Sequence, residues 1–416
     1  MRALAARLIE RGHGVRVIGP RCRRKSYEDL GARFEAYQHA PEHDARTPET
    51  DIIRDWEART PMGAFARLRD HLMFGPAAAF AQEVVAAVER ERPAGTVIDY
   101  MLTGAAAGAR QAGVPAAALV HNVYPLPAEG VPPFGMGLAP ARGRAGQLRD
   151  RVLGRVALRP FAVGLSALNG VRQDLGLPVV PQVGALLDDF RFVLVAVPAE
   201  FDFAARSQLP SRVRFVGHMS PPSSDEGWES PWPAEDSRPL VVVSLSTTFM
   251  DQRPLAVRIL KALDGMRVRG LFTLGPALRF EDVAVPENVV TTEFVPHSAV
   301  MPQASAVVTH AGLGTVGAAL SAGVPLVCVP GGRDQGENAV RVVEAGAGVR
   351  LPQRARPDAI RAAVERAISD PALRDGASRM QQAFTRDGAS QAVSLLEEMA
   401  SAGDPPGGSS SEAAAT

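Results

Sequence analysis

The sequence predicts an α/β protein with two Rossmann-like halves. Short β-branched runs alternate with stretches rich in Ala, Leu and Arg at helical spacing, which is typical of βαβ units and parallel sheets. A length of 416 residues, 46% of them apolar, is enough for two domains with separate hydrophobic cores. Residues 218–238 are dense in Pro, Ser and acidic side chains, so we expect an interdomain linker there.

The strand pattern divides the chain on either side of this linker. Predicted strands of the first half are 14–18, 96–98, 116–120 and 192–197, and those of the second half are 240–245, 269–274, 289–292, 306–309 and 325–329. We therefore predict domains at 1–217 and 239–387. An apolar helical stripe at 388–401 has no strand after it, and the Gly-, Ser- and Ala-rich residues 402–416 are predicted to be disordered.

Composition excludes several classes of function. Basic and acidic residues are equal at 45 each, so the chain has no basic footprint for nucleic acid. Cys22 and Cys328 match no metal-ligand spacing and favour reduced thiols over a disulfide. No uncharged run reaches the ~20 residues that a membrane-spanning helix needs. We expect a cytoplasmic protein, a monomer or homodimer, with no membrane span and no nucleic-acid partner.

The segment T-H-A-G-L-G-T-V-G at 309–317 contains G-x-G-x-x-G between a predicted buried strand and a predicted helix. Such a turn points free backbone N–H groups and the positive end of the helix dipole at a ligand, for which phosphate is the natural choice. The alternative is that these glycines only permit tight packing of helix on sheet. A dinucleotide fold places the fingerprint at its first strand, with an acid ending the next one. Here the turn comes late and Asp334 lies in a loop, so a nicotinamide site is disfavoured.

Residues 288–351 resemble the donor-binding signature of family 1 glycosyltransferases. The ordered parts are F-V-P-H at 294–297, H-A-G-L-G-T at 310–315, G-V-P at 323–325 and D-Q at 334–335. V-V-V-S-L-S-T-T at 241–248 is similar to the strand and loop that open the family's second domain, with Ser246 where Gly is usual. Members of bacterial macrolide and antibiotic type are the most similar. The resemblance implies the GT-B fold, in which two Rossmann-like domains face each other across a cleft. It also implies that the C-terminal helix at 388–401 crosses back to the first domain.

The resemblance also implies a nucleotide diphosphate-sugar site in the second domain. Prearranged hydrogen-bond donors there stabilise the negative charge that builds on the departing diphosphate. Asp334 and Gln335 offer acceptors and an amide for sugar hydroxyls, although a solvated loop capping a helix is their alternative. His310 could instead be a core histidine, and Phe294 and His297 loop packing. The implied donor-binding residues are Ser246, Thr247, Phe294, Val295, His297, His310, Gly312, Gly314, Thr315, Asp334 and Gln335.

The nucleotide itself is left open between thymidine and uridine diphosphate. Plant relatives hold the ribose hydroxyls with a Glu eight residues after the phosphate-binding His, whereas this chain has Ala318 there. Loss of that contact favours a deoxyribose donor. The chain has no Asp-x-Asp and no cluster at metal-ligand spacing, so we expect a metal-independent, inverting displacement with no cofactor besides the donor.

Acceptor chemistry is expected in the first domain. Asp99 closes a predicted strand and matches the family's orienting Asp, for which a turn residue is the alternative. The loop 121–138 is apolar and suits a hydrophobic natural-product acceptor, unless its residues close over the domain's own core. The candidate acceptor contacts are His121, Asn122, Tyr124, Phe134 and Met136.

The start of the chain departs from the family. Relatives have a strand and a G-H-x-x-P loop, whose His is the general base, before the helix that this chain begins with. His13 lies at the far end of that helix, so the His partner of Asp99 is expected to be absent. We predict that roughly 20 N-terminal residues are missing, and that the chain is poorly stable and weak in transfer. The alternative function is a nucleotide-sugar-binding protein without turnover; full activity would point to another base, first of all His121.

Overall fold

The computed structural model describes residues 1–44, 46–220, 228–275 and 284–402. Its strands are β1 Arg16–Gly19, β2 Arg33–Ala36, β3 Thr96–Asp99, β4 Ala116–Val120, β5 Phe192–Val195, β6 Val213–Phe215, β7 Leu240–Ser244, β8 Arg269–Thr273, β9 Val289–Thr292, β10 Ala306–Thr309, β11 Leu326–Cys328 and β12 Gly348–Arg350. Every strand pairing is parallel, which confirms the predicted α/β class. The predicted tail at 402–416 lies outside the described residues except for Ala402, and the predicted linker is described only in part.

Helices cover the faces of these sheets. They are α1 Arg2–Glu10, α2 Arg24–Glu28, α3 Pro61–Leu68, α4 Ala77–Arg90, α5 Thr103–Gln111, α6 Arg144–Asp174, α7 Arg253–Leu263, α8 His297–Val300, α9 Leu313–Ser321, α10 Gln335–Glu344, α11 Pro357–Ser369, α12 Pro371–Phe384 and α13 Gly388–Ser401. All five residues of β4 and of β7 are buried, as expected for parallel strands covered on both sides.

The second half contains one continuous sheet of six strands in the order β12-β11-β10-β7-β8-β9. This is the doubly wound arrangement, in which ligands bind outside the carboxyl ends of the strands where the strand order reverses. That switch point falls between β7 and β10, so Ser244 and Thr309, the last residues of these strands, mark the expected site.

The first half is divided between two sheets. Among the described residues, β1 pairs with β2, while β3, β4, β5 and β6 form a separate four-stranded sheet. The absence of an N-terminal strand remains a prediction. Three edge strands were not predicted from the sequence, namely β2, β6 and β12. They are three or four residues long and carry charged side chains, so they lack the apolar run that identifies a buried strand.

The last helix returns to the first half. Ala392, Val393, Leu396 and Met399 of α13 are buried in one cluster with residues of α1, β4 and β5. Arg7 of α1 also reaches Asp387 at the start of α13, at 2.7 Å. The apolar stripe of this helix is therefore covered by the first sheet.

Residues 61–90 are long and apolar enough, by length and composition alone, to cross a membrane. In the structure they form α3, a π-helical turn at Arg69–Met73, and α4. Helix α4 packs closely on α5: a Cβ built on Gly104 would lie 1.9 Å from the carbonyl oxygen of Ala77. Phe80 and Ala81 are buried as well, which is the behaviour of a core helix in a folded domain.

Candidate active site

The glycine turn of the second half is held in an unusual conformation between β10 and α9. Ala311 has φ +68°, a left-handed value that is unfavourable for a residue with a side chain. Two polar side chains fix it, because Thr309 Oγ1 accepts the Ala311 N–H at 3.2 Å and Asn338 Nδ2 donates to the Ala311 carbonyl at 3.0 Å. The turn therefore presents the N-terminus of α9, which starts after Gly312, to the cleft.

His310 lies beneath this turn and is 7% exposed. Burial lowers its pKa to about 4, against the opposing effect of a hydrogen bond with the Ser244 backbone. Its ring excludes a side chain from the neighbouring turn residue, since a Cβ on Gly312 would lie 2.4 Å from His310 Nε2. His310 is therefore a neutral hydrogen-bonding group at neutral pH, pre-positioned by packing.

Ser244 brings three predicted donor residues together. Its Oγ lies 3.3 Å from His297 Nε2 and 3.4 Å from Thr315 Oγ1, and its backbone holds His310. Ser244 was not among the predicted residues. The signal that identifies it is its position as the last residue of β7, at the switch point of the sheet.

The other predicted donor residues differ in how much of their side chains is exposed to the cleft or to solvent. The ring of Phe294 is 69% exposed and Thr247 is also exposed, so both are accessible. Ser246 is buried, and its Oγ pairs with Thr248 Oγ1 at 2.9 Å. The side chain of Val295 is buried in the core at 4% exposure, so its backbone is the part that remains for a donor, and its donor-binding role stays a prediction.

The Asp-Gln pair at the start of α10 also divides into two roles. Asp334 Oδ2 accepts from Asn338 Nδ2 at 2.9 Å, and its charge acts on His121 and Tyr100 of the first half. Gln335 is 2% exposed, and its Oε1 accepts the N–H groups of Gly331 and Gly332 at 2.7 and 3.2 Å. In this arrangement Gln335 Oε1 secures the loop before α10, and a role of Gln335 in sugar binding stays a prediction.

The same loop contacts the first half through Arg333. Its guanidinium makes a bidentate pair with Asp55, with Nε–Oδ2 and Nη2–Oδ1 distances of 2.7 and 2.8 Å, and donates to Thr248 Oγ1 at 2.8 Å. Trp56, the next residue after Asp55, packs edge-on against Phe249 with ring centroids 4.8 Å apart. The two halves are therefore joined beside Asp334.

On the first-half side of the cleft, Asp99 and His121 form a pair. Asp99 is the last residue of β3, and His121 directly follows β4, so both lie at the carboxyl ends of neighbouring strands. The distance from His121 Nδ1 to Asp99 Oδ2 is 3.2 Å. This corrects the expectation that Asp99 has no histidine partner in this chain. Sequence reasoning had treated His121 mainly as an acceptor contact, although neighbouring parallel strands place their terminal residues side by side.

The electrostatics of the pair favour a charged histidine. Burial lowers the pKa of His121, but the charge of Asp99 and the hydrogen bond to it outweigh burial and raise the pKa, and Asp334 adds in the same direction. Burial raises the pKa of Asp99, but His121 and the Met101 N–H bring it below its usual value. The pKa of His121 is therefore raised by a carboxylate of its own half and, to a smaller extent, by one from the other half.

The remaining candidate acceptor residues are less open than predicted. Asn122 is buried and donates from Nδ2 to the Tyr100 hydroxyl at 2.7 Å. Tyr124 is 6% exposed inside the core cluster, which is the alternative that the sequence left open, and its contact with an acceptor stays a prediction. Phe134 and Met136 are half-buried in the loop, and Phe134 packs partly on the core. His121, which is half-exposed, is the most accessible of the five.

Across the described ranges, no group of three or more His, Cys, Asp and Glu side chains is arranged to hold a metal ion. The polar groups that line the cleft include the N-terminal turn of α9, the neutral His310 and the paired Asp99 and His121.

Comparison with known proteins agrees with this geometry. Residues 271–399 match the erythromycin biosynthesis protein CIII-like C-terminal domain. The chain is 31% identical over 404 residues to 4'-demethylrebeccamycin synthase of Lentzea aerocolonigenes, covering 95% of this chain and 94% of that protein. Its fold is similar to that of the glycotransferase of kitacinnamycin, with a TM-score of 0.72 at 22% identity and coverage of 95% and 94%. The glycosyltransferase VinC in complex with DTDP gives a TM-score of 0.67 at 19% identity, with coverage of 97% and 96%.

The fold and the cleft define a GT-B glycosyltransferase. The chain belongs to the family 1 glycosyltransferases, in the bacterial group that acts in macrolide and antibiotic biosynthesis. It is a glycosyltransferase, as the resemblance implied.

Proposed function

We propose that this enzyme transfers a sugar from a thymidine or uridine diphosphate donor to a hydroxyl of a hydrophobic natural-product acceptor, with inversion and without a metal. The observation that carries the proposal is the Asp99–His121 pair, 3.2 Å apart, with the charge of Asp334 acting on His121 from the other half. The candidate base is thus within the electrostatic influence of the candidate sugar-binding carboxylate of the other half.

His121 serves as the general base in this proposal. Asp99 accepts from Nδ1, so it selects the tautomer whose Nε2 carries the lone pair, and that nitrogen takes the proton of the acceptor hydroxyl. The freed oxygen attacks the anomeric carbon on the face opposite the diphosphate, and the bond from that carbon to the diphosphate oxygen breaks. Asp99 also stabilises the imidazolium that forms, because its carboxylate stays ionised.

The second half holds the donor. The N-terminus of α9, with Gly312, Gly314 and Thr315, receives the diphosphate, and His310 adds a hydrogen bond below the turn. Asp334 accepts from sugar hydroxyls, and the exposed ring of Phe294 offers a flat surface to the base. Ala318 supports a thymidine diphosphate donor over a uridine one, and the VinC relative is described in complex with DTDP. The acceptor meets the half-exposed part of loop 121–138 around Phe134 and Met136.

The direct test is product detection. The purified chain is incubated with TDP-glucose or UDP-glucose and a panel of phenols and macrolactones, starting with 4-methylumbelliferone. Mass spectrometry should show a glycoside in the presence of a chelator, with inverted anomeric configuration by NMR. A requirement for added divalent metal, or retention of configuration, would contradict the proposal. We further propose that the enzyme acts in the cytoplasm, as a monomer or homodimer without a cofactor.

A nucleotide-sugar-binding protein without turnover is the second candidate. The feature that favours it is the division of the described first-half strands into two sheets, beside a continuous six-stranded sheet in the second half. Donor affinity cannot separate the two functions, because both use the second half. Transfer by this chain, compared with a version extended upstream, separates them: equal activity supports His121 as the base.

A further inference from the structure

Helix α10 carries a network of buried charges at the boundary between the halves. The side chains of Glu337 and Arg341 are 3% and 2% exposed, one helical turn apart, with Arg341 Nη1 donating to Glu337 Oε2 at 2.9 Å. Arg341 Nη2 also reaches Asp202 Oδ1 of the first half at 3.4 Å, and the Asp202 side chain has no exposed area. One guanidinium thus joins carboxylates from both halves.

The second oxygen of Glu337 holds the acceptor loop. Its Oε1 accepts the N–H of Gly135 at 3.1 Å and the N–H of Gly137 at 2.7 Å. Gly137 has φ +57°, and a Cβ built there would lie 2.8 Å from the carbonyl oxygen of Gly336. The end of loop 121–138 is therefore seated, backbone on backbone, on the first turn of the helix that begins beside Asp334.

Asp202 holds the other end of the same loop. Its Oδ2 accepts the Tyr124 N–H at 2.6 Å, three residues after His121, and its Oδ1 accepts the Ala204 N–H at 3.0 Å. Arg341 also stacks over the Phe203 ring at 4.2 Å from its centroid. Both ends of the acceptor loop are thus connected to a single side chain of α10.

The stability of the fold alone does not explain this network of buried charges. Taking charges out of water is unfavourable, and a buried ion pair often contributes no more than apolar residues of similar volume. What the arrangement does impose is geometry: the loop that starts with His121 has a set position relative to the helix that starts beside Asp334. That relative position decides which acceptor hydroxyl meets the anomeric carbon.

We propose that Glu337, Arg341 and Asp202 are positioning residues that set the acceptor loop against the donor helix and thereby control acceptor binding and the coupling of donor cleavage to transfer. None of the three acts on the reacting atoms; they act through Gly135, Gly137 and Tyr124. This inference rests on the proposed function and deepens it.

The test uses Glu337→Gln and Asp202→Asn in the full chain, with Glu365→Gln on the exposed face of α11 as a matched control. Initial rates with TDP-glucose and 4-methylumbelliferone give acceptor KM and kcat, calorimetry gives the Kd of TDP, and TDP release without acceptor gives donor hydrolysis. Glu337→Gln should raise acceptor KM by about tenfold, the effect of weakening hydrogen bonds to a charged group. Hydrolysis relative to transfer should rise, while the Kd of TDP changes by less than about twofold. The control should match the parent.

A second measurement does not depend on turnover. Hydrogen–deuterium exchange of the free protein should show faster exchange of peptides covering 121–138 in Glu337→Gln and Asp202→Asn, with the donor turn at 309–317 unchanged. If the parent forms no glycoside with any acceptor, the proposed function fails, and exchange still decides on the network. Unchanged exchange and unchanged acceptor KM would overturn the inference. A parallel loss of TDP affinity, acceptor affinity and melting temperature would also overturn it, because the residues would then be merely structural.

Discussion

The two halves of this enzyme build their parts of the cleft by different means. The donor half relies on backbone: a strained turn at Ala311, an open helix N-terminus at α9 and buried histidines that pack beneath them. The acceptor half relies on side chains at strand ends, above all Asp99 and His121. We infer that the donor site is set by contacts within its own half, such as Ser244 with Thr315, whereas the acceptor site also depends on contacts from the other half, such as Glu337 with Gly137.

Replacing the base should have the largest effect and should separate the halves. His121→Ala removes the proton acceptor, so we expect kcat to fall by about 10²- to 10⁴-fold, the usual contribution of general base catalysis. The Kd of TDP should be unchanged because the donor half is untouched. His39→Ala, at an exposed first-half position, is the control. If TDP affinity fell in His121→Ala by as large a factor as kcat, the assignment of separate roles to the two halves would be wrong.

Removal of the buried donor histidine should act in the opposite way. His310→Ala deletes a hydrogen bond to a charged diphosphate, so TDP affinity should fall by about 1.5–3 kcal/mol, as calorimetry can measure. Exchange of loop 121–138 should stay the same. Wild-type affinity for TDP in this variant would remove His310 from the donor site.

Two glycines of the turn can be compared to test whether backbone packing determines the shape of the donor site. A Cβ at Gly312 would lie 2.4 Å from His310 Nε2, whereas a Cβ at Gly314 would meet nothing within 4 Å. Gly312→Ala should therefore weaken TDP binding by about tenfold as His310 and the turn are displaced. Gly314→Ala should bind TDP almost as the parent does. Equal losses in both variants would indicate that the ligand itself needs both glycines.

The next expected effect concerns stability and not rate or affinity. Burial lowers the pKa of His218 and of His310 from 6.5 to about 4 in the folded protein. Between these values the unfolded chain binds protons that the folded chain does not, so the free energy of unfolding decreases as pH falls from about 6.5 towards about 4. Each histidine contributes up to about 1.4 kcal/mol per pH unit.

Urea unfolding at several pH values measures this dependence. His218 packs against Gly317 and lies 5.7 Å from the Phe384 ring, so His218→Phe keeps an aromatic ring and loses the titration. In His218→Phe, the slope of the free energy of unfolding against pH should decrease by an amount that corresponds to about one proton bound on unfolding. His39→Phe is the control. An unchanged slope would mean that His218 is accessible to protons in the folded state.

The same contrast explains what the sequence could predict. β9 and β10 coincide with the predicted strands, and the fold class is confirmed, because apolar β-branched runs identify buried parallel strands. Most of the predicted donor residues lie between 294 and 335, where the order of the motifs is visible in the sequence. The burial of Tyr124 and the loop contacts of Gln335 do not follow from the sequence, because they depend on the direction in which a loop or helix residue points.

Long-range contacts were outside the reach of sequence patterns. Asp202 and Arg341 are 139 positions apart, and nothing in the local sequence of either identifies its partner. Asp99 and His121 are closer, at the ends of adjacent strands, and that juxtaposition follows from parallel pairing of β3 with β4. Parallel pairing of these consecutive strands therefore predicts His121 as the partner of Asp99.

The most direct test of the account is a double-mutant cycle on this pair. The values of kcat/KM are measured for the parent, Asp99→Asn, His121→Ala and the double variant, with TDP-glucose and 4-methylumbelliferone. If Asp99 acts only by orienting His121 and raising its pKa, kcat/KM of the double variant should be no lower than that of His121→Ala alone. In Asp99→Asn the acid limb of the pH profile should also move to lower pH, because Asp99 raises the pKa of His121. Losses that add independently, or a parent rate that His121→Ala leaves intact, would contradict the claim that this pair is the catalytic base.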